Sequence, residues 1–222
     1  MPPLLVLGTR NRKKRQEIVE ILDGLDLEFG DLTQWPGVPE VVEDGVTFED
    51  NAHKKAAELA RALHQWVLGE DSGLVLPGLN GRPGVQSARY AGRHGDDAAN
   101  NARLLAELAP LPDDRRAAYY VCVVALADRQ GAVRAVAEGR CHGLITKELR
   151  GSGGFGYDPL FLIQEYHRTF GELSPRVKHA LSHRARALAR LRPVLRKLTA
   201  EDIGSTPPEQ NRQDGSAGGP MK

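Results

Sequence analysis

Apolar and polar positions divide the chain into a run of short elements. Leu4 to Leu7 is wholly apolar and stops at Gly8, as a strand buried on both faces does at the start of an α/β domain. A polar stretch from Thr9 to Arg15 follows, after which Ile18, Val19, Ile21, Leu22 and Leu25 recur at helical spacing. Leu27 to Leu32 predicts a second strand and Gln34 to Pro39 a proline-bearing loop. Thr47 and Asp50 have the spacing of a capping-box start, and Ala52, Ala56, Leu59, Ala60 and Leu63 form the apolar stripe of the helix behind it. Two short apolar runs, Trp66 to Leu68 and Leu74 to Leu76, flank Gly69-Glu70-Asp71-Ser72-Gly73. The composition of that quintet predicts a sharp acidic turn between strands.

The second half continues the alternation. Pro77 to Gly92 is a loop rich in glycine and proline, and Asp96 or Asp97 caps a helix with Leu104, Leu105 and Leu108 on its core face. Arg115 to Ala127 and Val133 to Ile145, joined by a turn at Gln130-Gly131, predict a long antiparallel hairpin. A glycine-rich loop, Gly151 to Pro159, leads into a strand at Leu160 to Ile163, and Ser174-Pro175 opens a short helical turn. Ser182 caps a last helix whose stripe is Ala185, Leu188, Leu191, Leu195 and Leu198. The fold class is therefore α/β, with a mixed sheet that combines a buried first strand with a long hairpin and is flanked by helices. Residues 1–198 form one domain, and residues 199–222, polar and without periodicity, read as a disordered tail.

Charge and cysteine usage narrow the class. With a formal net charge of +1, the chain as a whole is no electrostatic magnet for nucleic acid. Cys122 and Cys141 stand in predicted strands with no Cys-x-x-Cys or His-rich context, which argues against zinc and against a disulfide framework. No basic leader precedes an apolar run, and no stretch has the length to cross a bilayer. The expectation is a soluble, cytoplasmic protein with no membrane partner.

Three clusters carry candidate chemistry. The basic loop from Thr9 to Arg15 leads into a helix, whose unpaired N–H groups and positive dipole end suit phosphate. Glu70 and Asp71, held close, would raise one another's pKa unless a cation neutralised them, and Mg²⁺ takes one or two carboxylates together with substrate phosphates. Phe155 and Tyr157 offer faces on which a base can stack, and the glycines around them let backbone approach a ligand.

Taken in order, these pieces resemble one family. Thr9-x-Asn11-x-x-Lys14, Glu43 ahead of Asn51-Ala52-x-x-Lys55-Ala56, Glu70-Asp71-Ser72-Gly73-Leu74, Ser87-Ala88-Arg89-Tyr90, Gly153-Gly154-Phe155-Gly156-Tyr157-Asp158-Pro159, and Lys178 before Ser182-His183-Arg184 are similar to the motifs of the Ham1 family. This is the family of inosine triphosphate, or dITP/XTP, pyrophosphatases, which act on non-standard purine nucleotides. The likeness runs from about Leu4 to Leu198. It implies an ITPase-like (anticodon-binding-like α/β/α) fold, with a strongly twisted sheet and two lobes around a central cleft, and a homodimer. It further implies Mg²⁺-dependent hydrolysis of purine nucleoside triphosphates such as ITP, dITP and XTP to the monophosphate and pyrophosphate.

Residue by residue, the resemblance makes Asp71 the base that activates water, with Lys55 and Glu70 completing the catalytic set, and Glu43 and Asp71 the metal ligands. Thr9, Asn11 and Lys14, with Arg10, Arg12 and Lys13 beside them, would bind phosphates, and Ser72 the substrate near the metal. Phe155, Gly156, Tyr157 and Asp158 would hold the nucleoside, and Lys178, His183 and Arg184 the base. Two positions depart from the family pattern: Arg10 stands where Gly is usual, and Glu70 where Asp often begins the motif. Competing readings are a Maf-like nucleotide pyrophosphatase with other base preferences and a nucleotide- or RNA-binding module without catalysis.

Overall fold

In the computed structural model, which describes residues 2–198, seven strands form one sheet in the order β2-β1-β3-β4-β5-β6-β7. The strands are β1 (Leu4–Leu7), β2 (Glu28–Asp31), β3 (Trp66–Val75), β4 (Ala117–Ala127), β5 (Val133–Ile145), β6 (Phe161–Ile163) and β7 (Arg168–Thr169). β1 runs parallel to β2 and β3, and every later pair is antiparallel. The helices are α1 (Arg12–Ile21), α2 (Phe48–Leu63), α3 (Asp97–Leu108), α4 (Pro175–Leu181) and α5 (His183–Leu195).

The helix starts follow from local chemistry. Asn11 caps α1 by accepting from Lys13 N and Lys14 N, Thr47 and Asp50 form the expected capping box on α2, and Ser182 accepts from Ala185 N at the start of α5. α1 ends before Leu25, which packs beside the core from the loop beyond, and Val19 is exposed.

Three clusters of buried side chains hold the sheet between its helices. Ile18 and Leu22 of the α1 segment pack with Ala187, Leu188, Leu191 and Leu195 of α5 on one face of the sheet. Ala52, Ala56, Leu59 and Ala60 of α2 pack against Val67, Val121 and Val123 on the other. A third cluster gathers Leu104 and Leu108 of α3 with Tyr120, Phe161 and Phe170.

The largest departure from the sequence reading is at the acidic quintet. Gly69 to Gly73 is no turn but the middle of β3, paired residue by residue with β4, so that Glu70 opposes Val124 and Asp71 opposes Val123. Carboxylates fit poorly in a buried strand, which is why the polar interruption read as a break. What permits them here is cationic compensation from other elements. The predicted tail, 199–222, lies outside the described residues.

Candidate active site

Because side chains alternate across a strand, β3 sends Glu70 and Asp71 to opposite faces. Asp71 goes towards α2. Its Oδ2 accepts from Asn51 Nδ2 at 2.9 Å, and its Oδ1 from Ser72 N at 2.9 Å. Lys55, one turn beyond Asn51 on α2, donates to the Glu70 carbonyl at 2.7 Å and pairs with Glu43 at 2.9 Å. Burial pushes the Asp71 carboxyl above its ordinary value, and the Glu43 charge adds to this, against the pull of Lys14, Lys55 and the Asn51 hydrogen bond. Burial acts in the same sense on Glu43, but Lys55 outweighs it and holds that carboxyl low.

Glu70 lies on the α1 and α5 side, 1% exposed, beneath the cleft. Arg184 Nε and Nη2 meet its two carboxylate oxygens at 2.7 and 2.8 Å, and Lys14 Nζ is 3.2 Å from Oε1. Burial opposes the charged form, but Arg184 and Lys14 override it and keep Glu70 well below the usual carboxylate range. The network continues to Glu17, which the sequence analysis did not single out: it bonds Arg184 Nη1 and takes Lys178 Nζ at 2.7 Å, while Lys178 also meets Asp158 at 2.6 Å. Glu17 stands one helical turn after Lys14, and that spacing from a motif lysine is the signal that could have found it.

Two clefts, open to solvent and of about 890 and 670 Å³, bring the predicted residues together. The first contains Thr9, Arg10, Asn11, Lys14, Glu43, Lys55, Asp71 and Ser72; the second contains Phe155, Gly156, Tyr157, Asp158, Lys178, His183 and Arg184. They are continuous, sharing Asn11, Lys14, Ser72, Ala88 and His94. Lys13 stands outside both: its Nζ donates to the Gly154 carbonyl at 3.2 Å and lies 5.8 Å from the Phe155 ring. Arg12, exposed at the first position of α1, and the buried Glu70 also line neither cleft. Arg10 is turned towards the Val38 carbonyl at 3.0 Å. Arg89, whose Nη2 donates to the Glu43 carbonyl, and His94, a residue the sequence reading passed over, also line the first cleft.

The aromatic wall is rigidly supported. Tyr157 Oη donates to the Ser87 carbonyl at 2.9 Å, and Phe155 N to Asp158 Oδ2 at 2.8 Å. Lys178 Nζ lies 4.6 Å from the Phe155 ring centroid. His183 stacks on Tyr120 at 4.7 Å, and burial pushes its imidazole well below its ordinary pKa, so it is neutral. Its Nδ1 is buried without a partner among the described residues.

No three His, Cys, Asp or Glu side chains gather as a metal cage among the described residues. The donor set instead fits a cation shared with substrate: Glu43 and Asp71 face one cleft, and Asp71 pays for its burial in a way an added positive charge would relieve.

Cations and a capped helix start beside buried acids, opening onto aromatic walls, form one continuous polar and aromatic cleft on an α/β sheet. The chain belongs to the Ham1 family, whose sequence profile matches residues 5–194. It is 53% identical over 201 residues to a dITP/XTP pyrophosphatase of Rhodopirellula baltica, covering 90% of this chain and 97% of that one. It is 49% identical to a dITP/XTP pyrophosphatase of Geobacter sulfurreducens, covering 85% and 94%. Among solved structures, a HAM1 protein from Coxiella burnetii superposes with a TM-score of 0.80 at 39% identity, covering 87% of this chain and 98% of that one. A nucleoside-triphosphatase, dITP/XTP pyrophosphatase, from Mycobacterium abscessus does so at 0.69 with 45% identity, covering 87% and 100%.

Proposed function

We propose that the protein is a Mg²⁺-dependent pyrophosphatase that converts dITP, XTP and ITP to the nucleoside monophosphate and pyrophosphate. The observation that carries this reading is the continuity of the two clefts: a nucleoside triphosphate laid across Ser72 has cations and acids at one end and aromatic faces at the other. The relatives named dITP/XTP pyrophosphatases support the substrate class.

Water attacks the α-phosphorus, the bond to the bridging oxygen breaks, and pyrophosphate leaves. Asp71 takes the proton of the attacking water as general base. Thr9, Asn11 and Lys14 hold the phosphate chain, and Lys55 neutralises charge that develops on it. Glu43 and Asp71 would hold the cation, which would supply Lewis-acid polarisation of the phosphoryl oxygens. Glu70 serves from below by fixing Lys14 and Arg184. Of the three base-facing residues, Lys178 and Arg184 already satisfy buried carboxylates, whereas His183 lines the nucleoside cleft with a neutral ring paired to no carboxylate among the described residues. On this reading His183 faces the purine, and Lys178 and Arg184 hold its surroundings.

The proposal extends to a homodimer acting on the free cytoplasmic nucleotide pool, without nucleic acid or membrane as partner. Its support is the chain's membership of the Ham1 family, for which the motifs imply a homodimer. A monomer by light scattering would remove the dimer. No helix among the described residues is long and apolar enough to cross a membrane.

The test is pyrophosphate release from dITP, XTP, ITP, dTTP, ATP and GTP, with and without Mg²⁺, by the native chain and by Asp71→Asn. Metal-dependent release confined to the inosine and xanthosine substrates and lost in the variant is the expected result. No release from any of them would leave a binding module as the better reading, and release from dTTP instead would point to Maf-like chemistry.

A further inference from the structure

Both polar groups of Gly156 are held by side chains of α3. Asp97 Oδ2 accepts from Gly156 N at 2.8 Å, and Asn101 Nδ2 donates to Gly156 O at 2.9 Å. Asp97 and Asn101 are four residues apart, hence on one face of the helix one turn apart, and together they grip a single residue from both sides. That residue needs gripping. Gly156 adopts φ +62°, Gly154 φ +74° and Gly151 φ +76°, so the loop is built of residues with the widest conformational freedom in the unbound chain. Gly156 sits between Phe155 and Tyr157, the two rings facing the nucleoside cleft. Fixing its peptide groups steadies the ring on its N-terminal side from the α3 side, in addition to the bond from Phe155 N to Asp158 Oδ2, while Tyr157 has its own anchor at Ser87.

We propose that Asp97 and Asn101 are positioning residues that pre-organise the Phe155 ring for stacking on the substrate's base. The inference rests on the reading that this loop holds the nucleoside. Neither residue needs to touch the phosphate chain: Asp97 lines only the nucleoside cleft of the two, and Asn101, 5% exposed, lines neither. With the clamp in place the ordering of the loop is completed before substrate arrives; without it, substrate must order the loop at the expense of affinity. The effect is therefore confined to the part of binding that the base contributes.

The experiment compares Asp97→Ala, Asn101→Ala and Asp97→Asn with the native chain, measuring KM and kcat for dITP and the competitive inhibition constant of inorganic tripolyphosphate, which has no base. Losing one hydrogen bond of this kind is worth up to about tenfold. Both alanine variants are expected to raise the KM for dITP by about that factor, with kcat moving less and with tripolyphosphate inhibition as in the native chain. Asp97→Asn keeps an oxygen that can accept from Gly156 N and is expected to behave like the native chain. An unmoved KM in the alanine variants, or tripolyphosphate inhibition weakening in step with KM, overturns the clamp, as does Asp97→Asn failing as badly as Asp97→Ala. Should Asn101→Ala not fold, the two Asp97 variants decide the matter alone, since that side chain is only half-buried. If the native chain releases no pyrophosphate from dITP, the functional reading fails and takes the clamp with it; release with unmoved KM removes the clamp alone.

Discussion

Arg184 and Glu70 meet side-on in the interior, Nε and Nη2 each bonding one carboxylate oxygen at 2.7 and 2.8 Å, with about one hundredth of either side chain exposed. Such a bidentate pair orients both partners, and it ties the start of α5 to the middle of β3. Removing one partner of a buried pair leaves the other charged and short of its counterion, at a cost of about 3–5 kcal/mol. Glu70→Gln should therefore lower stability to urea by about 3 kcal/mol, Glu17 still bonding one end of the guanidinium. A variant with native stability and abolished turnover would instead make Glu70 a participant in the reaction.

Asp71, the next residue, should behave in the opposite way. Burial penalises its charged form, and an amide at that position can still accept from Asn51, though not from Ser72 N at the same time. Asp71→Asn is expected to change the melting temperature little while turnover falls by about 10²–10⁴-fold, the usual contribution of a general base. Calorimetry and pyrophosphate release on the same sample check both halves. A large loss of stability would mean that the carboxylate is structural.

Glu17 supplies a pH signature. Burial works against its charge, but Arg184 and Lys178 outweigh this and depress its pKa in the folded chain. A depressed carboxyl contributes stability that is present above its unfolded pKa of about 4.3 and is lost as pH falls through the folded value. The native chain should lose urea resistance below about pH 4.3, and Glu17→Gln, less stable at neutral pH, should show a shallower fall. Parallel curves for the two proteins would show that the charge of Glu17 contributes nothing.

How much of this was legible in the sequence depends on the range of the interaction. Caps at Thr47 and Ser182 and the hairpin of β4 and β5 are written in residues a few positions apart, and they stand where their spacing put them. The strand through Glu70 and Asp71 was not legible, because what makes it tolerable is Arg184, more than a hundred residues away, and Lys14. For the same reason Glu17 was invisible as a site residue: its partners Arg184 and Lys178 lie at the other end of the chain. The motif residues could be collected from sequence, but not their distribution over the two faces of β3, which separates Asp71 from Glu70.

The close approach of α2 to β3 couples packing to chemistry. A Cβ on Gly69 would stand 2.5 Å from the Ala52 carbonyl oxygen and 2.6 Å from Ala56 N, both backbone atoms that cannot rotate away. α2 carries Asn51 and Lys55, which position Asp71 and bond the Glu70 carbonyl. Gly69→Ala must push the helix, at a cost of about 1–3 kcal/mol for overpacking, and should lower kcat as well, because both side chains move with it. Leu191→Ala, in the cluster on the far face of the sheet, should cost more stability, about 2–5 kcal/mol, yet leave kcat nearly native at temperatures where the variant is folded. Urea titrations beside initial rates separate the cases. Native kcat in Gly69→Ala would show that α2 can yield without displacing Lys55 and Asn51, and that its tight seat on β3 serves the fold alone.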